Sequence, residues 1–149
     1  MDHGNKENQT SLNQKHSTIK KKVISIVCAD DEKLMLDMIN YFILDAFPDA
    51  EIRQAQDGNE ALTYCLAQPP DILVTNVNMP VISGIDLIKE LRKARLEIPT
   101  LITSGNCTYE RLEREGVQLS EKVRFIIKPF SAEQMIDEIK VLVKSAKNI

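Results

Sequence analysis

The chain has 149 residues, 43% of them apolar and 28% charged, with a formal net charge of −3, no Trp, five Gly and six Pro. This is the composition of one ordinary globular domain, long enough to bury about two-thirds of the surface its unfolded form exposes without help from a disulfide or structural metal. Three widely spaced cysteines, Cys28, Cys65 and Cys107, form no CxxC and read as reduced, buried thiols. Apolar runs of about four residues fall short of the roughly 18 needed for a membrane span. The first 22 residues also lack the apolar stretch of a secretory signal, so a cytoplasmic location is expected.

Charge is segregated. Residues 1–22 hold five Lys and two acids, a net +3, whereas the remaining 127 residues hold 14 basic and 20 acidic side chains, a net −6. Only Met1, Leu12 and Ile19 are sizeable apolar residues in the basic segment, too few to offset the entropy of ordering it. Residues 1–21 are therefore expected to be a disordered polar tail, and 22–149 a folded domain. The Lys20-Lys21-Lys22 cluster reads as a solubilising edge to the first strand more readily than as a nucleic-acid contact.

From Val23 onward, short β-branched runs alternate with longer amphipathic stretches. Val23 to Cys28 is nearly continuous, as a strand buried on both faces should be. A helix is predicted over 32–46, with Leu34, Met35, Met38, Ile39, Phe42 and Ile43 on its apolar face and Phe47-Pro48-Asp49 as its stop. Met35 and Met38 read as core, since no third sulfur or His accompanies them. A second strand is placed at about Glu51–Ala55. Asp57, with Glu60 three residues on, then caps a helix through Ala61, Leu62, Cys65 and Leu66 to Pro69-Pro70.

The third strand is Asp71 to Thr75. Ser83-Gly84 opens a helix carrying Ile85, Leu87, Ile88 and Leu91, and Pro99 to Thr103 is the fourth strand. A short helix at about 107–115 follows, with Arg111 to Glu115 as its solvated face. Val123 to Ile127 is the fifth strand, and Ser131-Ala132-Glu133-Gln134 is a capping box for a last helix carrying Met135, Ile136, Ile139, Leu142 and Val143. Five strands, each followed by a helix, imply an α/β fold: a doubly wound five-stranded parallel sheet with right-handed crossovers and five helices.

Sites in such folds lie beyond the carboxyl ends of the strands. There the sequence places Asp30-Asp31 after strand one, Asn76 and Asn78 after strand three, Ser104 after strand four and Lys128 after strand five. Each alone has a plain structural account. Acids before a helix suit its free N–H groups and dipole, and Ser104-Gly105 is ordinary turn chemistry. Four strand ends bringing two acids, an amide, a hydroxyl and an ammonium to one crevice is the specific signal. His3 and His16, in the tail, are not candidates.

These residues resemble the receiver domains of two-component response regulators. The resemblance runs from 23 to about 146 and is carried by Asp30-Asp31, by Asn76-Val77-Asn78-Met79-Pro80 with Gly84, by Ser104-Gly105 and by Lys128-Pro129-Phe130. It implies the flavodoxin-like (CheY-like) fold with strand order 2-1-3-4-5, bound Mg²⁺, and phosphoryl transfer from a histidine kinase or related phosphotransfer protein. By that resemblance Asp30, Asp31, the side chain of Asn76 and the backbone carbonyl of Asn78 would hold the metal. Ser104 and Lys128 would face the phosphoryl oxygens, and Phe125 would be the aromatic coupled to Ser104 in switching. The fourth helix, fifth strand and last helix form the family's docking face, making Tyr109, Arg111, Lys140 and Lys144 candidate partner contacts.

One departure bears on mechanism. The family's acceptor aspartate is here Asn76, whose amide has no anionic oxygen to attack phosphorus. Asp30, Asp31 and Lys128 leave the pocket at −1 where an aspartate would make it −2, so Mg²⁺ binding should weaken. Three readings compete: a natural pseudo-receiver, a substitution that freezes the unphosphorylated state, or Thr75 as substitute acceptor, which strand alternation should point to the opposite face. With few residues after the last helix, no DNA-binding domain is expected, and output would pass by docking to a downstream protein or a second copy in a homodimer. A phosphorylation-independent adaptor is the alternative function. A Mg²⁺-dependent phosphatase of the haloacid dehalogenase type would want Asp-x-Asp after strand one, whereas the acids here are adjacent and Glu32 stands at the wrong offset.

Overall fold

The computed structural model describes residues 23–147, the side chain of Lys147 excepted, so the predicted tail lies outside the described residues. Ten elements alternate: β1 Ser25–Ala29, α1 Lys33–Ala46, β2 Glu51–Ala55, α2 Gly58–Ala67, β3 Ile72–Asn76, α3 Gly84–Lys93, β4 Thr100–Ser104, α4 Tyr109–Arg114, β5 Val123–Ile127 and α5 Ala132–Lys147. The strands form one parallel sheet in the order β2-β1-β3-β4-β5. The expected flavodoxin-like (CheY-like) fold is what forms.

Strand alternation divides the core. On one face Ile26 and Cys28 of β1, Ile72 and Val74 of β3, and Leu101 of β4 pack under α1 and α5, against Leu36, Ile39, Ile43, Met135, Ile139 and Leu142. On the other, Val27, Ala29 and Leu73 meet Ala61 and Cys65 of α2 and Leu87 and Leu91 of α3. Ile102 and Phe125 complete that face with Ile85, Ile88 and Leu112. Every residue of β3 and β4 is buried, as central strands covered on both faces must be.

Helix starts follow the sequence signals. Asp57 Oδ1 accepts from Glu60 N at 2.7 Å, and Ser83 Oγ accepts from Asp86 N at 3.1 Å. Ser131 closes a reciprocal box, its Oγ accepting from Gln134 N at 3.0 Å while its own N–H donates to Gln134 Oε1 at 2.9 Å. The three cysteines are free and buried. Met35 and Met38 pack partly buried against the first cluster.

Two expectations are corrected. Leu34 was placed on the buried face of α1, yet it is 83% exposed and Leu36 is the buried residue. Nine positions at 100° each put Leu34 roughly half a turn away from Ile43, the centre of the packed stripe. In α4, which starts at Tyr109 with Thr108 as cap, Leu112 is core and not part of the solvated face. Its neighbours Arg111 and Glu115, four apart, pair across it at 2.9 Å.

Candidate functional site

The ladder continues past the strand ends and fixes the side chains that follow. Asp30 N donates to Ala55 O, Val77 N to Thr103 O and Lys128 N to Ser104 O, at 3.0, 3.1 and 2.8 Å. Close packing of backbone supports the same region. A Cβ on Gly84 would stand 2.1 Å from Asn76 O, so the first turn of α3 can rest on the end of β3 only because position 84 has no side chain. Between them Val81 has a φ of 72° inside a turn closed by Ile82 N and Pro80 O at 3.0 Å, backbone rarely adopted by a β-branched residue.

Asp30 and Asp31 are adjacent and differ completely. Asp30 is fully buried. Its Oδ1 accepts the backbone N–H of Glu32 at 2.9 Å, satisfying a free donor at the start of α1, and its Oδ2 accepts from Lys128 Nζ at 2.8 Å. That ion pair crosses the positions of β3 and β4 and joins residues 98 apart in the chain. Asp31 is exposed and points to the crevice, where its Oδ1 accepts from Asn76 Nδ2 at 3.4 Å.

Asn76 is the centre of the arrangement. Its Oδ1 accepts from Lys128 Nζ at 3.2 Å, and its Nδ2 donates to the carbonyl of Asn78 at 2.7 Å as well as to Asp31. The lysine dictates the orientation, since an ammonium has only donors and needs the amide oxygen opposite it. Thr75 points the other way, its hydroxyl donating to Asn76 O at 3.0 Å beside Met79.

Ser104 is less central than the sequence suggests. Its hydroxyl is buried and accepts from Asn106 N at 3.2 Å and Cys107 N at 2.9 Å while donating to Asn106 Oδ1 at 3.3 Å. Asn106, which sequence reasoning passed over, also accepts from Asn78 Nδ2 at 2.9 Å and so connects the ends of β3 and β4. Its signal was its place two residues beyond Ser104, in a polar loop at the same end of the sheet. Phe125 is buried on β5 and meets Tyr109 edge-on, with ring centroids 5.1 Å apart. Tyr109 is half-exposed, Arg111 is tied to Glu115, and Lys140 and Lys144 lie exposed on α5, beyond the Arg124–Glu138 pair that fastens β5 to that helix.

The donor set fits Mg²⁺ poorly as arranged. A hard cation wants carboxylate and carbonyl oxygens around an open centre. Here the two acceptors that would face it, Asp31 Oδ1 and Asn78 O, already share the Asn76 amide nitrogen, and Asp30 spends both oxygens on Lys128 and the start of α1. Asn76, expected among the ligands through its side chain, turns nitrogen and not oxygen toward that place. Among the described residues no group of three or more His, Cys, Asp or Glu could hold a metal. No helix among them is long and apolar enough to cross a membrane.

In the core, burial pushes the Cys28 thiol up to about 12 and the Cys65 thiol to about 11, the nearby Arg53 partly opposing the second shift.

The chain is similar to known proteins. The YesN transcriptional regulatory protein of Bacillus subtilis is 28% identical over 123 residues, 82% of this chain and 33% of that protein. The chain spans between about a quarter and about half of the length of the curated relatives it matches. Among solved structures, the receiver domain of the Francisella response regulator 1452 superposes with a TM-score of 0.68 at 28% identity, covering 82% of this chain and 98% of that one. A CheY-like receiver domain from Methanospirillum hungatei gives 0.72 at 18% identity, covering 85% and 98%, a likeness of fold. A family model described as the response regulator receiver domain matches residues 26–140, and the chain belongs to that family, the receiver domains of two-component signalling.

Proposed function

We propose that this chain is a receiver-like module that signals by protein docking and whose usual aspartyl phosphorylation is blocked at Asn76. The observation that carries the reading is the Asn76 amide held between Lys128 Nζ and Asn78 O, at 3.2 and 2.7 Å. In a receiver, a carboxylate oxygen at this position forms the new P–O bond while the donor's bond to phosphorus breaks. An amide oxygen is a poor nucleophile, and this one is already accepting from the lysine that would stabilise the transferred group. The pocket is at −1 and internally satisfied, so Mg²⁺, which receiver domains typically bind at the acceptor site, would bind weakly to Asp30, Asp31 and the Asn78 carbonyl. Catalytic roles beyond that fall to Ser104 and Lys128, and switching to Ser104 and Phe125.

The partners are a histidine kinase or phosphotransfer protein on the input side and a downstream protein on the output side. Tyr109, Arg111, Lys140 and Lys144 line the face around β5, and a homodimer through that face fits the same role. The location is cytoplasmic, and the module signals without being an enzyme: its strand-one acids are adjacent, not the Asp-x-Asp of a haloacid dehalogenase-type phosphatase. A phosphorylation-independent adaptor is the second reading, favoured by the engagement of both ends of the Asn76 amide by Lys128 and Asn78.

Intact mass after incubation with Mg²⁺ and acetyl phosphate, run on this chain and on Asn76→Asp, decides between them. A single phosphoryl gain only by Asn76→Asp is expected. No gain by either variant selects the adaptor, and a gain by the unchanged chain overturns the blocked site.

A further inference from the structure

Ser104, at the end of β4, does not join the Asp30–Lys128–Asn76 cluster, and its bonds account for that. A hydroxyl has one donor and two lone pairs. Ser104 uses all three, accepting from Asn106 N and Cys107 N and donating to Asn106 Oδ1. The amide oxygen of Asn106 is likewise full, taking the Ser104 hydroxyl at 3.3 Å and Asn78 Nδ2 at 2.9 Å. Asn78 in turn gives its backbone carbonyl to Asn76 Nδ2. A continuous run of bonds, Asn76 to Asn78 to Asn106 to Ser104, therefore bridges the ends of β3 and β4.

We propose that Asn106 is a positioning residue: with Asn78 it forms a clasp across the crevice that retains the Ser104 hydroxyl away from position 76. The hydroxyl is buried whereas Asn78 and Asn106 are exposed, so the clasp opens from its solvent side. Water, or an anionic group arriving at the crevice, competes for the outer Asn78–Asn106 bond. Once that bond is lost, the loop carrying Asn106 and the Cys107 amide is no longer tied to Asn78 and is free to rotate the hydroxyl inward. The retention stands on the hydrogen bonds themselves, and its bearing on phosphoryl transfer rests on the receiver reading above.

The Cys107 amide, which donates to Ser104 Oγ at 2.9 Å, reports the hydroxyl's position. Hydrogen exchange measured by NMR on the full chain should speed up about five- to tenfold at that amide in Asn106→Ala, the loss of roughly one net hydrogen bond. Asn106→Asp keeps an oxygen for both donors and should restore the slow rate, whereas Asn106→Leu, of similar size but without an acceptor, should not; restoration by Leu would show a merely steric role. In the Asn76→Asp background, Asn106→Ala should raise the initial rate of phosphoryl gain from acetyl phosphate, and Asn106→Asp should return it. Unchanged Cys107 exchange overturns the clasp. Faster exchange with an unchanged labelling rate overturns its inhibitory role. If Asn76→Asp gains no phosphoryl group at all, the receiver reading is at fault, while the exchange measurement still decides the clasp.

Discussion

The crevice has a buried half and an exposed rim, and both are built from the same kinds of hydrogen bond. In the buried half, Asp30 and Lys128 pair at 2.8 Å with 0% and 14% of their side chains exposed. On the rim, the exposed side chains of Asp31, Asn78 and Asn106 make bonds of 2.9–3.4 Å. The difference lies in what happens when a partner is lost. A rim group turns to solvent, whereas a buried carboxylate without its lysine keeps the full penalty of desolvation. One half is scaffold, and the other is free to respond to a ligand or partner.

The largest test of that contrast is Lys128→Met, which leaves the Asp30 charge unpaired. It should cost about 3–5 kcal/mol of stability by urea denaturation, and adding Asp30→Asn should recover much of it. A loss under about 1 kcal/mol would mean that the buried half is no more constrained than the rim.

Gly84→Ala comes next. Its Cβ would meet backbone at 2.1 Å, so α3 must shift from the end of β3, and a cost of about 1–3 kcal/mol is expected. The amide signals of Asn76 and Val77 should move with it, and an unshifted spectrum at wild-type stability would refute the close approach.

Desolvation in the core has a pH signature. The thiols of Cys28 and Cys65 stay protonated in the folded chain above the ordinary value of 9.0, while in the unfolded chain they ionise. Their contribution is whole below 9.0 and is lost as pH rises, through about 11 for Cys65 and about 12 for Cys28. Each removes about 1.4 kcal/mol per pH unit across its window. Cys28→Ala should reduce the alkaline slope of stability by that amount, and an unchanged slope would place the thiol in a polar setting.

The smallest effect belongs to the rim. Asp31→Asn retains an oxygen toward Asn76 and stays exposed, so stability should move by less than about 0.5 kcal/mol. A change comparable to that of Lys128→Met would erase the distinction between the two halves.

Element type and order were legible because each strand is a short β-branched run and three of the helices begin at recognisable caps, Asp57, Ser83 and Ser131. The parallel topology followed from that alternation, and the convergence of Asp30, Asn76 and Lys128 from the rule that polar residues at carboxyl strand ends share one crevice. Sequence also supplied the decisive chemical fact, an amide at position 76. Leu34 misled because the pattern holds more apolar residues than one face can bury, and only packing against β1 and α5 selects Leu36, Ile39 and Ile43.

What tertiary structure alone decided is direction. Adjacent aspartates have the same chemistry in the chain, yet the sheet buries Asp30 against a lysine 98 residues away and leaves Asp31 in water. An asparagine can offer either end of its amide, and here Lys128 takes the oxygen and turns the nitrogen toward Asn78 and Asp31. Ser104 reaches the right strand end, but the loop that follows β4 engages its hydroxyl. Composition and periodicity fix which groups arrive at the crevice. Their pairing depends on donors and acceptors brought together by long-range packing, which no local pattern encodes.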